Sequence, residues 1–152
     1  LGGSITLCSM LPIMLIAYKH GVKWGLFTGF VYSLVQLLLD LAAIMSWALT
    51  PTALVASILF DYILAFTVLG VAGVYGKGFG RFILGMATAV FLRFVSHFIS
   101  GVTAYASWMP EEWHAGLPLY SIAYNGTYLL PDLLICAVVG ALVYKPLKKF
   151  LV

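Results

Sequence analysis

Charge is what this chain has least of. Of its 152 residues only 9% are Asp, Glu, Lys or Arg, whereas 63% are hydrophobic. A soluble domain of this size carries about 25% charged residues. Eight basic and five acidic side chains cannot cover the surface of a globular protein. The composition therefore predicts a membrane protein, and it excludes a secreted domain, a nucleic-acid binder and a cytosolic enzyme.

Cysteines and catalytic motifs are also scarce. The two cysteines, Cys8 and Cys136, lie in apolar stretches and fit neither a metal-ligand spacing nor a disulfide framework. No nucleotide-binding motif, zinc-protease motif or partnered serine nucleophile occurs. We therefore expect no enzymatic activity, no catalytic residues, no bound metal and no cofactor. The sequence begins at Leu1 without a Met or a basic segment, so no signal peptide is visible within it, and we expect that the natural start of the chain is missing.

Long apolar stretches are what the chain does have. A helix needs about 20 apolar residues to cross the hydrocarbon core of a bilayer, and five stretches meet or approach that length. The breaks between them contain Gly, Pro or charged residues, as is typical of loops. We predict an all-α, polytopic bundle of transmembrane helices that forms one domain over residues 1–152, with spans at 3–18, 22–40, 52–76, 81–106 and 119–145.

The basic residues indicate an orientation. Lys and Arg in short loops remain on the cytoplasmic side of a membrane, and seven of the eight fall on one side of the predicted arrangement: Lys19, Lys23, Lys77, Arg81, Lys145, Lys148 and Lys149. This predicts a cytoplasmic C-terminus and places residue 1 outside. We expect a sixth helix before residue 1, which would complete an even number of spans. A five-span protein with an exported N-terminus is the alternative.

Four titratable side chains lie deep within the predicted spans: Asp61, Arg93, His97 and Asp132. A charged side chain at the bilayer centre costs about 2.5–3.5 kcal/mol, so such residues normally face the interior of a bundle and mark function. Arg93 and Asp132 lie at matching depth, which predicts a structural ion pair. Contact of Arg93 with an anionic substrate is the alternative.

A second, shallower layer of polar and aromatic residues lies in the outer half of the predicted bundle. Aromatic faces attract cations, a buried carboxylate requires a cation or hydrogen-bond donors, and an amide both donates and accepts. The layer predicts a site for a flat, cationic, hydrogen-bonding small molecule taken from outside, and it contains Asp61, Tyr62, His97, Tyr105, Tyr120, Tyr124 and Asn125. The alternatives are a belt of interfacial tyrosines and a histidine bonded to a backbone carbonyl.

Gly21, Gly25 and Gly29 recur at every fourth position of the second predicted span. Small residues at this spacing let another helix approach closely. The pattern predicts close packing within the bundle, with a docking face for a partner membrane protein as the alternative.

Several blocks of the sequence resemble a known family, in order over nearly the whole chain. They resemble the thiamine-specific substrate-binding components, or S components, of energy-coupling factor transporters. The blocks are Gly3-Ser4-Ile5-Thr6-Leu7, Met10-Leu11-Pro12-Ile13, Asp61-Tyr62-Ile63-Leu64-Ala65-Phe66, Leu69-Gly70-Val71-Ala72-Gly73, Arg93-Phe94-Val95-Ser96-His97-Phe98-Ile99-Ser100-Gly101 and Tyr120-Ser121-Ile122-Ala123-Tyr124-Asn125-Gly126.

The resemblance implies a six-helix bundle in the plasma membrane of a prokaryote, with both termini cytoplasmic and thiamine bound near the outer face. It implies that the protein associates with a transmembrane coupling subunit and two ATPase subunits and does not itself hydrolyse ATP. By resemblance the ligand is bound by Asp61, Tyr62, His97, Tyr105, Tyr120 and Asn125. Some members carry Glu in place of Asp61 and Trp in place of Tyr105. A ligand-contacting Trp of the family has no placed counterpart, and Trp108 and Trp113 are candidates to cover the mouth.

Two other functions remain open from the sequence. The first is an S component for another vitamin or for a thiamine precursor such as a hydroxymethylpyrimidine. The second is a structural subunit of a membrane complex without transport activity, in which Arg93 and Asp132 only hold the bundle together.

Overall fold

The regular structure of the chain is helical. The computed structural model describes residues 8–113 and 116–151, and within these ranges it contains helices and no strand. The helices are α1 (Leu11–His20), α2 (Val22–Ser46), α3 (Pro51–Gly73), α4 (Phe79–Thr103) and α5 (Leu117–Leu151), with a short 3₁₀ turn at Ala106–Trp108. Helices α2 to α5 are each long and apolar enough to cross a membrane. This confirms the predicted fold class, a polytopic helical membrane protein.

Helix α1 occupies part of the first predicted span. It has ten residues, which correspond to about 15 Å of helix and half of a hydrocarbon core of about 30 Å. Residues 3–7 of that predicted span lie outside the described residues. Helix α1 is nonetheless well buried, with Met14 and Ala17 completely enclosed by neighbouring helices. It ends at Gly21, whose φ of 92° lies in a region that favours glycine.

Two helices continue beyond their predicted spans. Residues 41–51 were predicted as a break, but α2 continues through Ser46, because Leu41 to Met45 are good helix formers on an apolar face. The last span was predicted at residues 119–145, and the helix that contains it continues to Leu151. Hydropathy marks where a chain leaves the hydrocarbon and not where the helix ends. Lys148 and Lys149 in the last turn also interact favourably with the helix dipole.

Close contacts between glycines and backbone bring α1, α2 and α3 together. A Cβ added to Gly25 would collide with Ala17 in α1 and with the carbonyl oxygen of Gly70 in α3. A Cβ at Gly29 would collide with the carbonyl oxygen of Phe66. Both glycines therefore face the interior of the bundle, as close packing requires. Gly21, in contrast, has open space around it and forms the turn between α1 and α2.

Lys77 connects the helix ends at the side of the bundle that carries most of the basic residues. Its Nζ donates hydrogen bonds to the carbonyl oxygens of Tyr18 at 2.7 Å, Lys19 at 3.0 Å and Leu151 at 2.6 Å. The carbonyls at a helix C-terminus lack partners within the helix. One side chain therefore caps the ends of both α1 and α5.

The glycine contacts predict that a methyl group added at Gly70 destabilises the packing of α2 against α3. In Gly70→Ala the new methyl group would collide with the backbone of Gly25 and Leu26, so α2 and α3 must separate. We expect a loss of about 1–3 kcal/mol in the free energy of unfolding, measured as a lower midpoint of thermal unfolding in detergent. The control is Gly126→Ala, also within a helix but with open space around it. Equal midpoints for the two variants would contradict the packing.

Candidate functional site

A cavity of about 730 Å³ lies between α2, α3, α4 and α5. Its volume falls within the range of about 300–1,000 Å³ that is usual for small-molecule sites. The structure places all of the predicted site residues on its wall: Asp61, Tyr62, His97, Tyr105, Tyr120 and Asn125. Arg93, Tyr124 and Asp132 line the same cavity. Residues far apart in sequence therefore form a single compartment.

Asp61 accepts three hydrogen bonds from side chains of α3 and α4. Its Oδ1 accepts a hydrogen bond from His97 Nδ1 at 2.8 Å. Its Oδ2 accepts hydrogen bonds from the hydroxyl groups of Ser100 at 2.6 Å and Ser57 at 3.2 Å. The Asp61 and His97 side chains are 18% and 11% exposed. Donors from α3 and α4 thus compensate the carboxylate for the loss of water.

The backbone around Asp61 departs from an ordinary α-helix. Residues Ile58–Leu64 form a π-helical segment within α3. Such segments are rare and often occur at functional sites. The hydroxyl of Ser96 in α4 donates to the carbonyl oxygen of Phe60 at 2.7 Å and so anchors this segment. No sequence signal indicates the π-helical segment, because hydropathy follows the side chains and not the hydrogen-bond register of the backbone.

Asp40 is a site residue that sequence reasoning missed. It was not among the predicted site residues, but it lies in α2 and lines the cavity. Its Oδ2 accepts hydrogen bonds from Gln36 Nε2 at 2.8 Å and from the Tyr62 hydroxyl at 3.2 Å. The available signal was the spacing of Gln36 and Asp40, four residues apart on one face of an apolar helix.

Three aromatic rings form a cluster beside the loop that follows α4. The ring centroids of Trp47, Tyr105 and Trp108 are separated by 5.2–6.0 Å, and all three residues line the cavity. The hydroxyls of Tyr105 and Ser57 share a hydrogen bond of 2.8 Å. Trp47 was not predicted as part of the site. Trp113, considered as a cover for the mouth, packs against Tyr120 at a centroid distance of 5.3 Å.

Asn125 lies on α5 among three tyrosines whose rings contact one another in sequence. The rings of Tyr120, Tyr124 and Tyr128 follow one another at 6.0 Å. The Asn125 amide nitrogen donates to the Ser121 carbonyl oxygen at 2.9 Å, and its oxygen accepts from the Tyr128 hydroxyl at 2.6 Å. The same nitrogen also donates to the Ser121 hydroxyl at 3.3 Å. Both N–H groups of the amide therefore have partners, and the second lone pair of its oxygen is left to accept a hydrogen bond from a ligand.

Arg93 lies about one helical turn before His97 in α4, close to an aromatic ring. Its guanidinium carbon is 4.2 Å from the centroid of the Phe66 ring. Within the described part of the chain its Nε and Nη1 are buried without a hydrogen-bond partner. Arg93 and Asp132 both line the cavity, and their direct ion pair stays a prediction.

The chemistry of the wall is aromatic and acidic. Of the nineteen described residues that line the cavity, nine are Phe, Trp or Tyr. All three aspartates of the chain line it, whereas its basic groups are one arginine and one histidine. Aromatic faces and carboxylates both favour a cation. Within residues 8–113 and 116–151, no group of three or more His, Cys, Asp or Glu residues could hold a metal ion.

The bonds to Asp61 predict a specific cost for Ser100→Ala. This variant removes a donor to a carboxylate, and hydrogen bonds to charged groups contribute about 1.5–3 kcal/mol. We expect a lower thermal midpoint than for Ser33→Ala. Ser33 is equally buried, but it bonds only to the Phe30 carbonyl of its own helix. If the two variants are equally stable, Ser100 does not stabilise the carboxylate.

Two comparisons with known proteins identify the family of the chain. A family model described as "Thiamine transporter protein (Thia_YuaJ)" matches residues 1–152. The protein named thiamine transporter ThiT of Bacillus subtilis (strain 168) is 35% identical over 165 aligned residues, which cover 99% of this chain and 79% of the relative. The chain therefore belongs to the thiamine transporter protein family.

Proposed function

We propose that this protein binds thiamine in the cavity that α2, α3, α4 and α5 enclose. We further propose that it serves as the S component of an energy-coupling factor transporter. The observation that carries the proposal is the bonded pair of Asp61 and His97 in a cavity that contains every aspartate of the chain. Membership of a thiamine transporter family supports thiamine as the transported compound. The resemblance of the sequence blocks supports the coupling to an energy-coupling factor module.

Thiamine matches the chemistry of the cavity wall. It carries a permanent thiazolium cation and an aminopyrimidine ring. The carboxylate of Asp61 attracts the cation, and the rings of Tyr62, Tyr105 and Tyr120 offer faces on which it stacks. Asn125 and His97 provide hydrogen bonds to the polar edge of the ligand, since His97 Nε2 is buried and has no partner within the described residues.

The proposed role is binding and transport without chemical conversion. A carboxylate held by two serines and a histidine in a membrane-embedded cavity is suited to recognising a cation. The energy for uptake would come from the partners, a transmembrane coupling subunit and two ATPase subunits. The proposed location is the plasma membrane of a prokaryote. The C-terminal lysines Lys145, Lys148 and Lys149 favour a cytoplasmic C-terminus.

Titration of the purified protein with thiamine tests the binding site. Trp47 and Trp108 line the cavity, so we expect saturable quenching of tryptophan fluorescence. Asp61 and the thiazolium cation would form a buried charge pair, and loss of one partner of such a pair costs about 2–5 kcal/mol. Asp61→Asn should therefore raise the Kd for thiamine at least about thirtyfold. Glu112→Gln, a matched change at an exposed position, should leave the Kd unchanged.

Two outcomes of this titration would contradict the proposed ligand. Absence of saturable quenching in the wild type would exclude thiamine. Equal displacement by the hydroxymethylpyrimidine half alone would indicate a precursor transporter, because that half lacks the cation.

Uptake in cells tests the coupling. We expect cells that lack other thiamine uptake to accumulate labelled thiamine only when this protein is produced together with an energy-coupling module. A module with inactive ATPase subunits should abolish accumulation, because those subunits supply the energy. Concentrative uptake by the protein alone would rule out its role as an S component.

A further inference from the structure

Asp40 differs from Asp61 in the kind of partners it has. Both hydrogen bonds to Asp40 come from neutral groups, the Gln36 amide and the Tyr62 hydroxyl, and both converge on Oδ2. Asp61, by contrast, is bonded to His97, which can carry a positive charge. Among residues 8–113 and 116–151, no Lys, Arg or His nitrogen lies within 4.0 Å of the Asp40 carboxylate.

Asp40 is also placed where its charge is poorly screened. It is half-buried in α2, among side chains that face lipid, and it lines the cavity. Its neighbours Leu38 and Leu39 are more than 70% exposed on the lipid-facing side of the helix. Bulk water screens charges strongly, whereas an apolar environment leaves their field strong. A cation inside the cavity would therefore interact with Asp40 across little solvent.

The bonds to Asp40 link it to the main carboxylate of the site. Tyr62, which donates to Asp40, directly follows Asp61 in the π-helical segment Ile58–Leu64. The segment thus directs one residue toward His97 and the next toward α2. Asp40 lies six residues before the end of α2, about 9 Å of helix. Two carboxylates from different helices therefore border the same cavity, and the hydrogen bond from Tyr62 to Asp40 links the positions of their helices.

We propose that Asp40 is a specificity-determining residue that recognises the positive charge of the ligand, with Gln36 and Tyr62 as the residues that position it. The proposal rests on the proposed function, since it concerns the same cavity. Asp40 favours a heteroaromatic cation over a neutral molecule of the same shape, because its charge has no cationic partner within 4.0 Å among the described residues until the ligand enters. Gln36 and Tyr62 hold Oδ2 and thereby keep the carboxylate against the cavity.

The test compares two ligands of equal shape and different charge. One is thiamine, and the other is an analogue in which a neutral thiophene ring replaces the thiazolium. Asp40→Asn removes the charge but keeps an oxygen that accepts both hydrogen bonds. We expect the Kd for thiamine to rise at least about tenfold and the Kd for the neutral analogue to change less than about threefold. Both are measured by calorimetry on the full chain in detergent.

Glu112→Gln is the matched control, because it makes the same change in net charge at an exposed position. It should affect neither ligand. Parallel changes in both Kd values for Asp40→Asn, or an unchanged Kd for thiamine, would overturn the proposal. A wild type that binds neither ligand would instead overturn the proposed function, and the role of Asp40 with it.

A second variant covers the case in which Asp40→Asn does not fold, which thermal unfolding would reveal. Asp40→Glu keeps the charge and moves it by one methylene group. Because the attraction depends on distance, this variant should change the Kd for thiamine and leave the Kd for the neutral analogue within about threefold. Equal effects on both ligands would again overturn the proposal.

Discussion

The structure of the site depends on one buried carboxylate. Asp61 lies within a membrane-crossing helix, where an unpartnered charge is costly, and it is stable there because Ser57, His97 and Ser100 donate to it. Two of these donors belong to α4, so α3 and α4 must stay in register. The hydrogen bond from the Ser96 hydroxyl to the Phe60 carbonyl oxygen likewise holds the backbone of α3 in register with α4. The network that satisfies Asp61 therefore also shapes the cavity wall.

Tight packing and the cavity occupy different parts of the same helices. Gly25 at the start of α2 meets Gly70 near the end of α3 with almost no space between the backbones. Of the residues that line the cavity, Asp40 lies toward the other end of α2 and Asp61 lies near the middle of α3. Lys77 further closes the packed end by capping α1 and α5. A bundle that is rigid at one end can hold an open cavity at the other without losing its arrangement.

Much of the fold could be predicted from the sequence, and part of the site. Hydrocarbon offers no hydrogen bonds to the backbone, so long apolar stretches must be helical, and α2 to α5 follow. Asp61, His97 and Asn125 were conspicuous as polar residues within apolar stretches, and all three line one cavity. Asp40 and Trp47 were missed because both lie near the C-terminal end of α2, where sequence alone does not separate a cavity wall from a membrane interface.

The sequence by itself predicted a membrane protein, the apolar stretches that form α2 to α5 and the polar residues that interrupt them, because each of these follows from local composition. The tertiary structure decided which side chains contact one another. It brought His97 to Asp61 and joined Tyr62 to Asp40. It also joined Tyr105 to Ser57 and packed the Tyr105 ring against Trp47 and Trp108. Such contacts depend on the rotation and approach of whole helices. Those are set by glycine contacts and by a π-helical segment, neither of which hydropathy reveals.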